Sequence, residues 1–201
     1  MMTGLRPETF EHLQLNAGVF LREFNWETAT DKGSLEELVL GVLTSGTGLV
    51  GATRGGGSFE CSPTVRQVEA DGMRAPFVGS TINDMWTVKL KTTLLEITPE
   101  NFKAALMCGE IEDKGDHVKV LKLRTDIEEG DYIPKLCWVG DTSKGMVLIE
   151  LDNALNINGA NFAFTDRGEG TLPVEFQAHQ KSLTDMKYAP CRNIFFDQAS
   201  A

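Results

Sequence analysis

The stretch Gly51–Thr98 decides the fold: GATRGGGSFECSPTVRQVEADGMRAPFVGSTINDMWTVKLKTTLLEIT. Its second half alternates. Trp86, Val88, Leu90, Thr92 and Leu94 share one parity, and Met85, Thr87, Lys89, Lys91 and Thr93 share the other. Successive side chains of an extended chain point to opposite faces, so this run predicts a strand with a core face, Trp86 included, and a polar face. Upstream, residues 64–70 (TVRQVEA) read as a shorter strand, and Asp71-Gly72 supplies a hairpin-type turn. Downstream, Thr98 is a good N-cap and Pro99 suits the first helical position. A helix is predicted from Pro99 to about Cys108, with Phe102, Ala105 and Leu106 on one stripe and Gly109 as its stop. So short a helix is not stable alone and must pack on a sheet face.

The rest of the chain supports a mainly β fold. Its 201 residues suit one large domain, long enough to bury about 70% of the unfolded surface without disulfides or metal. Glycine, 20 of 201, exceeds the usual ~7%, as expected for a fold rich in turns and bends. Residues 1–11 and 182–201 lack strong periodicity and read as terminal arms. Residues 13–24 alternate well enough for a strand with a bulge at Asn16-Ala17-Gly18, and residues 25–33 read as a charged loop. Ser34-Leu35-Glu36-Glu37 resembles a capping box opening a short helical turn, while 38–43 also fits a strand. Residues 110–115 read as a loop and 117–127 as a strand. Residues 132–140 and 145–151 read as a hairpin about the polar loop 141–144, with Pro134 at a strand start or an edge. Residues 152–161 look turn-rich. Residues 171–181 form the last predicted strand, with Val174, Phe176 and Ala178 inward and Glu175, Gln177, His179 and Lys181 outward. The terminal aromatics of Asn193–Phe196 suggest docking on the body or on a neighbour.

Signatures of chemistry are weak. Gly46-Thr47-Gly48-Leu49-Val50-Gly51 matches G-x-G-x-x-G, but the glycine-rich run after it breaks a helix where a dinucleotide fingerprint must open one. Gly55-Gly56-Gly57 reads instead as a bend or a close backbone approach. His12, His117 and His179 are well separated and read as solvated surface groups. Glu128-Glu129 and Asp113/Asp116 read as solvated loop carboxylates. Gly-x-Ser-x-Gly is absent, so no nucleophile has a recognisable setting. Cys61, Cys108, Cys137 and Cys191 form no Cys-x-x-Cys pair and read as buried thiols in a reducing compartment. No signal-peptide core and no run near ~18 apolar residues occurs, so a soluble cytoplasmic product is expected. The net charge of −10 (29 acidic, 19 basic) argues against gripping nucleic acid, though an acidic wall would let DNA slide past. Neither a catalytic residue nor a cofactor or metal site is predicted.

Taken in order, the GATRGGG-SF run, the RQVEADG turn and the Trp-containing strand passing through LLEITPEN into a helix resemble the phage major tail proteins, the tail tube subunits of long-tailed bacteriophages and their prophage relatives. The resemblance covers roughly residues 16–107. It implies one domain over residues 1–201, a β-sandwich or barrel with one short flanking helix, a long hairpin and extended arms. Subunits would join edge to edge into hexameric rings that stack into a tube for DNA, assembled in the host bacterial cytoplasm and resident in the virion. Implied partners are further copies of the chain, tape measure and tail completion proteins, and DNA in transit without specific binding or membrane insertion. The hairpin of residues 64–98 would lie in the tube wall, with Arg66, Gln67, Lys89 and Lys91 on the strands between subunits. Glu69 and Asp71 would face the lumen, the alternative being the outer wall. A second reading is a β-sandwich accessory module for carbohydrate or receptor binding, which requires exposed aromatics on a single face.

Overall fold

The computed structural model describes residues 6, 9–10, 13–14, 16–164, 166–184 and 187–197. The described residues form nine strands and two α-helices in the order β1 (Val19–Arg22), α1 (Lys32–Ser45), β2 (Thr53–Gln67), β3 (Thr81–Leu94), α2 (Pro99–Ala105), β4 (Glu110–Asp113), β5 (Lys119–Lys122), β6 (Ile133–Asp141), β7 (Gly145–Asn156), β8 (Leu172–Gln177) and β9 (Cys191–Asp197). The fold is mainly β and sandwich-like, as expected, but with two helices instead of one.

All strand pairs are antiparallel, and β7 is the hinge of the architecture. Residues 146–154 of β7 pair with β6, and residues 145–151 pair with β9 on the other side. Its end, Leu155–Asn156, crosses to pair with β8. One half is therefore β1-β6-β7-β9 and the other is β8-β3-β2. Alternation in the first half feeds two cores. Phe20, Leu136, Leu151 and Ala154 point into the core shared with Val88, Leu90, Leu94, Val174 and Phe176 of the other half. Leu21, Cys137, Val139, Met146, Leu148 and Phe196 point the opposite way, onto Leu35 and Val39 of α1. A sheet covered on both faces reads as a continuous apolar run, which is why LCWV and GMVLIEL lack polar alternation.

Several boundaries differ from expectation, each for a local reason. α1 is a full helix of 14 residues, opened by Asp31 three residues before the predicted cap. Ser34 N–H donates to Asp31 Oδ1 at 2.8 Å, and Asp31 N–H donates to Ser34 Oγ at 3.0 Å. These contacts, the Ser34 backbone N–H first, hold the Asp31 carboxyl below its ordinary range. Its support of α1 is therefore complete above the unfolded value near ~3.9 and fades as pH falls through the lower folded value. Gly46 ends the helix at φ 72°, so the G-x-G-x-x-G run closes a helix rather than opening one. α2 begins as predicted, with Thr98 Oγ1 accepting from Asn101 N–H at 3.1 Å, but stops at Ala105, capped by Leu106 rather than Gly109. Residues 110–113, read as a loop, are β4, and the strand expected over 117–127 is the short β5 paired with it. The turn-rich reading of 152–161 fails because β7 continues to Asn156. Asn156 is buried, with its Nδ2 donating to Gly159 O at 3.0 Å and its Oδ1 accepting from Glu175 N–H at 2.8 Å. The inward set Val174, Phe176 and Ala178 is buried as predicted, but β8 is not the last strand.

The C-terminal arm is a correction. Residues 191–197 form β9, paired residue by residue with β7 from Gly145↔Asp197 to Leu151↔Cys191, so this end docks on the body. Most of the N-terminal arm, 1–11, lies outside the described residues.

Trp86 is the second correction. It has the parity of Val88 and Leu90 but stands 42% exposed, whereas Val88 and Leu90 are buried. The ladder with β8 begins at Lys89 and its last backbone hydrogen bond reaches Val88, so at Trp86 the sheet has narrowed to two strands. Trp86→Ala is therefore expected to cost the monomer less than about 1 kcal/mol, against about 2–5 kcal/mol for Leu90→Ala, measured by urea melts at dilution.

Candidate functional site

A projecting two-stranded ribbon is the feature of the surface with the most to explain. Its base is set by the glycine run. Gly55 and Gly56 carry positive φ at a register shift between Thr53 and Gly57. A Cβ on Gly57 would lie 2.5 Å from Lys91 O and 3.0 Å from the Phe20 ring, so only glycine lets the strands close there. The run is thus both the bend and the close approach read from the sequence. Beside it lies a cleft of about 600 Å³, lined by Phe20, Phe59, Trp138 and Gly55–Gly57. The Trp138 indole is committed there, donating to Ala17 O at 2.9 Å.

Above the base, β2 and β3 leave the body as a pair. Among the described residues, 81–87 of β3 pair with β2 alone, Val88 O accepts from Ala178 N–H at 3.0 Å, and β2 has no second partner. The distal strands, seven to eight residues at ~3.3 Å each, extend roughly 25 Å. Pro63, opposite Trp86, has no N–H to offer the free edge, and the Thr64/Val65 register shift against Met85/Asn83 twists the ribbon. The Asp71-Gly72 turn is present, with Met73 N–H donating to Ala70 O at 3.1 Å. It caps a longer connection, residues 68–80, instead of joining the strands directly. Residues 61–72 and 81–86 are exposed throughout. Val65, Val68, Phe77, Val78, Ile82, Met85 and Trp86 are large apolar side chains left in solvent. Single exposed apolar residues need no explanation; seven on one excursion do.

The residues singled out from the sequence divide between ribbon and base. Arg66 and Gln67 lie on the free edge strand, and Arg66 Nε reaches Asp84 Oδ1 at 2.9 Å. Glu69 and Asp71 are exposed in the connection at the ribbon's far end. Lys89 and Lys91 do not share that setting. β3 is paired on both sides there, so the backbone beside both lysines is already occupied within the chain. Both serve a cross-strand ladder instead. Lys89 Nζ is 2.7 Å from Glu175 Oε1, and Lys91 Nζ is 3.2 Å from Glu60 Oε2 and 3.5 Å from Glu175 Oε2. The Lys89 hydrogen bond, with Lys91 behind it, holds the Glu175 carboxyl below its usual range.

Elsewhere the chemistry is structural. Glu150 is wholly buried on the α1 side of β7, accepting from Trp26 Nε1 at 2.7 Å and from Arg192 Nε at 2.9 Å, with Lys135 Nζ at 3.8 Å. Arg192 lies 5.4 Å from the Trp26 ring centre. Burial first, and Glu150 second, push the Cys137 thiol up to about 12. The thiols are not uniformly buried as expected, because Cys61 is exposed and Cys191 intermediate. His117 sits in a turn at φ 66° rather than in a strand. His179 is partly buried, with Nδ1 3.2 Å from Asn153 O and its ring edge-on to Tyr132. Glu128 is likewise not simply solvated, since it forms an ion pair with Arg124. His12 lies outside the described residues. Among the described residues, no group of three or more His, Cys, Asp or Glu could hold a metal, and no helix is long and apolar enough to cross a membrane.

No family model matches the chain, and no curated protein matches it.

Proposed function

We propose that this protein is a self-assembling structural subunit of the tail-tube type, whose ribbon is covered by neighbouring copies. One observation carries the reading: a ribbon whose two edges have no pairing partner among the described residues and which bears seven exposed large apolar side chains. An isolated two-stranded hairpin is marginal in water, and a long free edge templates pairing with another chain. Covering it with a second copy satisfies the edge and removes the apolar side chains from water together. A heterologous contact of this kind closes into a ring when the rotation allows, and rings stack into a tube. The sequence resemblance supplies the destination: a virion tail through which DNA passes, with tape measure and tail completion proteins as partners and no catalysis. The carbohydrate- or receptor-binding alternative gains no support. Trp26 stacks on Phe196, Trp86 stands on the ribbon and Trp138 fills the cleft, so they share no face.

Light scattering of the purified chain over a hundredfold concentration range tests the reading. Mass rising with concentration to a multiple of 22.1 kDa is expected. A concentration-independent 22.1 kDa monomer overturns it.

The lumen assignment has its own test. Glu69→Lys with Asp71→Lys should leave folding intact, since exposed charges contribute little to stability. Assembled tubes carrying both should bind DNA with an affinity that falls as salt rises. Double-variant tubes indifferent to DNA would place both residues on the outer wall.

A further inference from the structure

Two of the four thiols stand on opposite halves of the fold, each paired across its ladder with a residue of one core cluster. Cys61 lies opposite Val88 on β2-β3, and Cys191 lies opposite Leu151 on β7-β9. Directly paired residues of antiparallel strands project on the same side. Val88 and Leu151 belong to one core cluster, against which Cys191 packs, while Cys61, on the Val88 side of its strand pair, is left exposed at that cluster's other half. They are near enough to act on each other. The Cys191 thiol is pushed up to about 11 by burial first and by the adjacent Cys61 thiol second. Cys61 is exposed and Cys191 is not, which gives the pair one accessible partner and one sheltered partner. The strands that bear them, β2 at the ribbon's base and β9 at the C-terminal end, share no backbone pairing.

We propose that Cys61 and Cys191 are a reversible dithiol–disulfide site that ties the ribbon's base to the C-terminal strand. The inference does not depend on the function proposed above. The oxidant is a small-molecule disulfide of the glutathione class. The Cys61 thiolate attacks one sulfur of the oxidant, forming a mixed disulfide and expelling the first small thiolate. Cys191 gives its proton to solvent and its thiolate attacks the Cys61 sulfur, expelling the second. Two protein thiols are thereby oxidised by two electrons and one oxidant disulfide is reduced to two thiols. Access makes Cys61 the first to react, and burial of Cys191 makes ring closure the slow step. Its rate rises with pH through the thiol range, because only the thiolate attacks.

The test uses the intact chain incubated with oxidised glutathione, quenched with acid, and digested without reduction for mass spectrometry. The expected result is a peptide pair linked through Cys61 and Cys191, lost on dithiothreitol treatment. Cys108 and Cys137 should remain free. Cys191→Ser should stop the reaction at glutathionylated Cys61, and Cys61→Ser should leave Cys191 unmodified on the same timescale. Three results on the wild-type chain would each overturn the proposal, and none depends on a variant folding. They are Cys61 held as the glutathione adduct at equilibrium, Cys61–Cys61 dimers as the main product, and linkage of Cys61 to Cys108 or Cys137.

Discussion

With Met85→Glu and Trp86→Glu combined, the chain is expected to fold as before and to lose self-association. Both side chains are exposed, at 59% and 42%, and adjacent positions of a strand point to opposite sides, so the pair charges both faces of the ribbon. Neither position carries core packing, and surface substitutions of this kind shift stability by about 0.5 kcal/mol or less. In an assembled contact the same two carboxylates would be desolvated without partners, at several kcal/mol each, and a loss of 1.4 kcal/mol already weakens association tenfold. A hundredfold or greater rise in the concentration needed for assembly is expected, with a melting temperature close to the wild-type monomer. Sedimentation velocity read beside a thermal melt separates the two effects. Unchanged assembly would mean the ribbon lies outside the contacts.

The second large effect is in the buried charge network. Arg192→Met is expected to destabilise the fold by about 3 kcal/mol, because it leaves Glu150, wholly buried, with only Lys135 at 3.8 Å as its charged partner. Glu150→Gln should cost less, about 1–2 kcal/mol. It removes the buried charge, keeps an acceptor for Trp26 Nε1, and leaves Arg192, 45% exposed, free to turn to solvent. Urea melts of the two variants test the order; a larger loss for Glu150→Gln would show that the carboxylate's contacts, and not its burial, govern the cost.

How much of this was legible in the sequence depended on whether the deciding contact was local. Strand β3, the Thr98-Pro99 helix start, the β6-β7 pair and the inward set Val174, Phe176 and Ala178 follow from capping and period-two patterning, which a short window contains. Of β2, only residues 64–67 fall within the strand expected over 64–70. Trp86 does not follow from a short window. Its parity is right, but burial needs a wide sheet, and the non-local β3–β8 register ends at Lys89↔Gln177. The setting of Lys89 and Lys91 is non-local in the same way, since only Glu175 and the β8 register show that β3 is central there. β9 escaped because its seven residues show one well-buried side chain, Phe196, and its pairing with β7 is non-local. α1 was obscured by Gly33 and Gly41, both poor helix formers, and is held by the Asp31–Ser34 cap and by Leu35 and Val39 packing on β7 and β9. Glu150, inside the apolar run VLIEL, reads as a defect until Arg192, 42 residues on, is folded against it.

The ribbon itself was half visible: its strands and turn are in the sequence, its isolation from the body is not. That isolation is what the proposed function rests on, and electron microscopy of the purified full-length chain in negative stain tests it most directly. Self-assembly through the ribbon predicts rings, stacked into tubes as concentration rises, and their absence from the Met85→Glu/Trp86→Glu variant under identical conditions. A field of separate 22.1 kDa particles at every concentration, wild-type and variant alike, would contradict it.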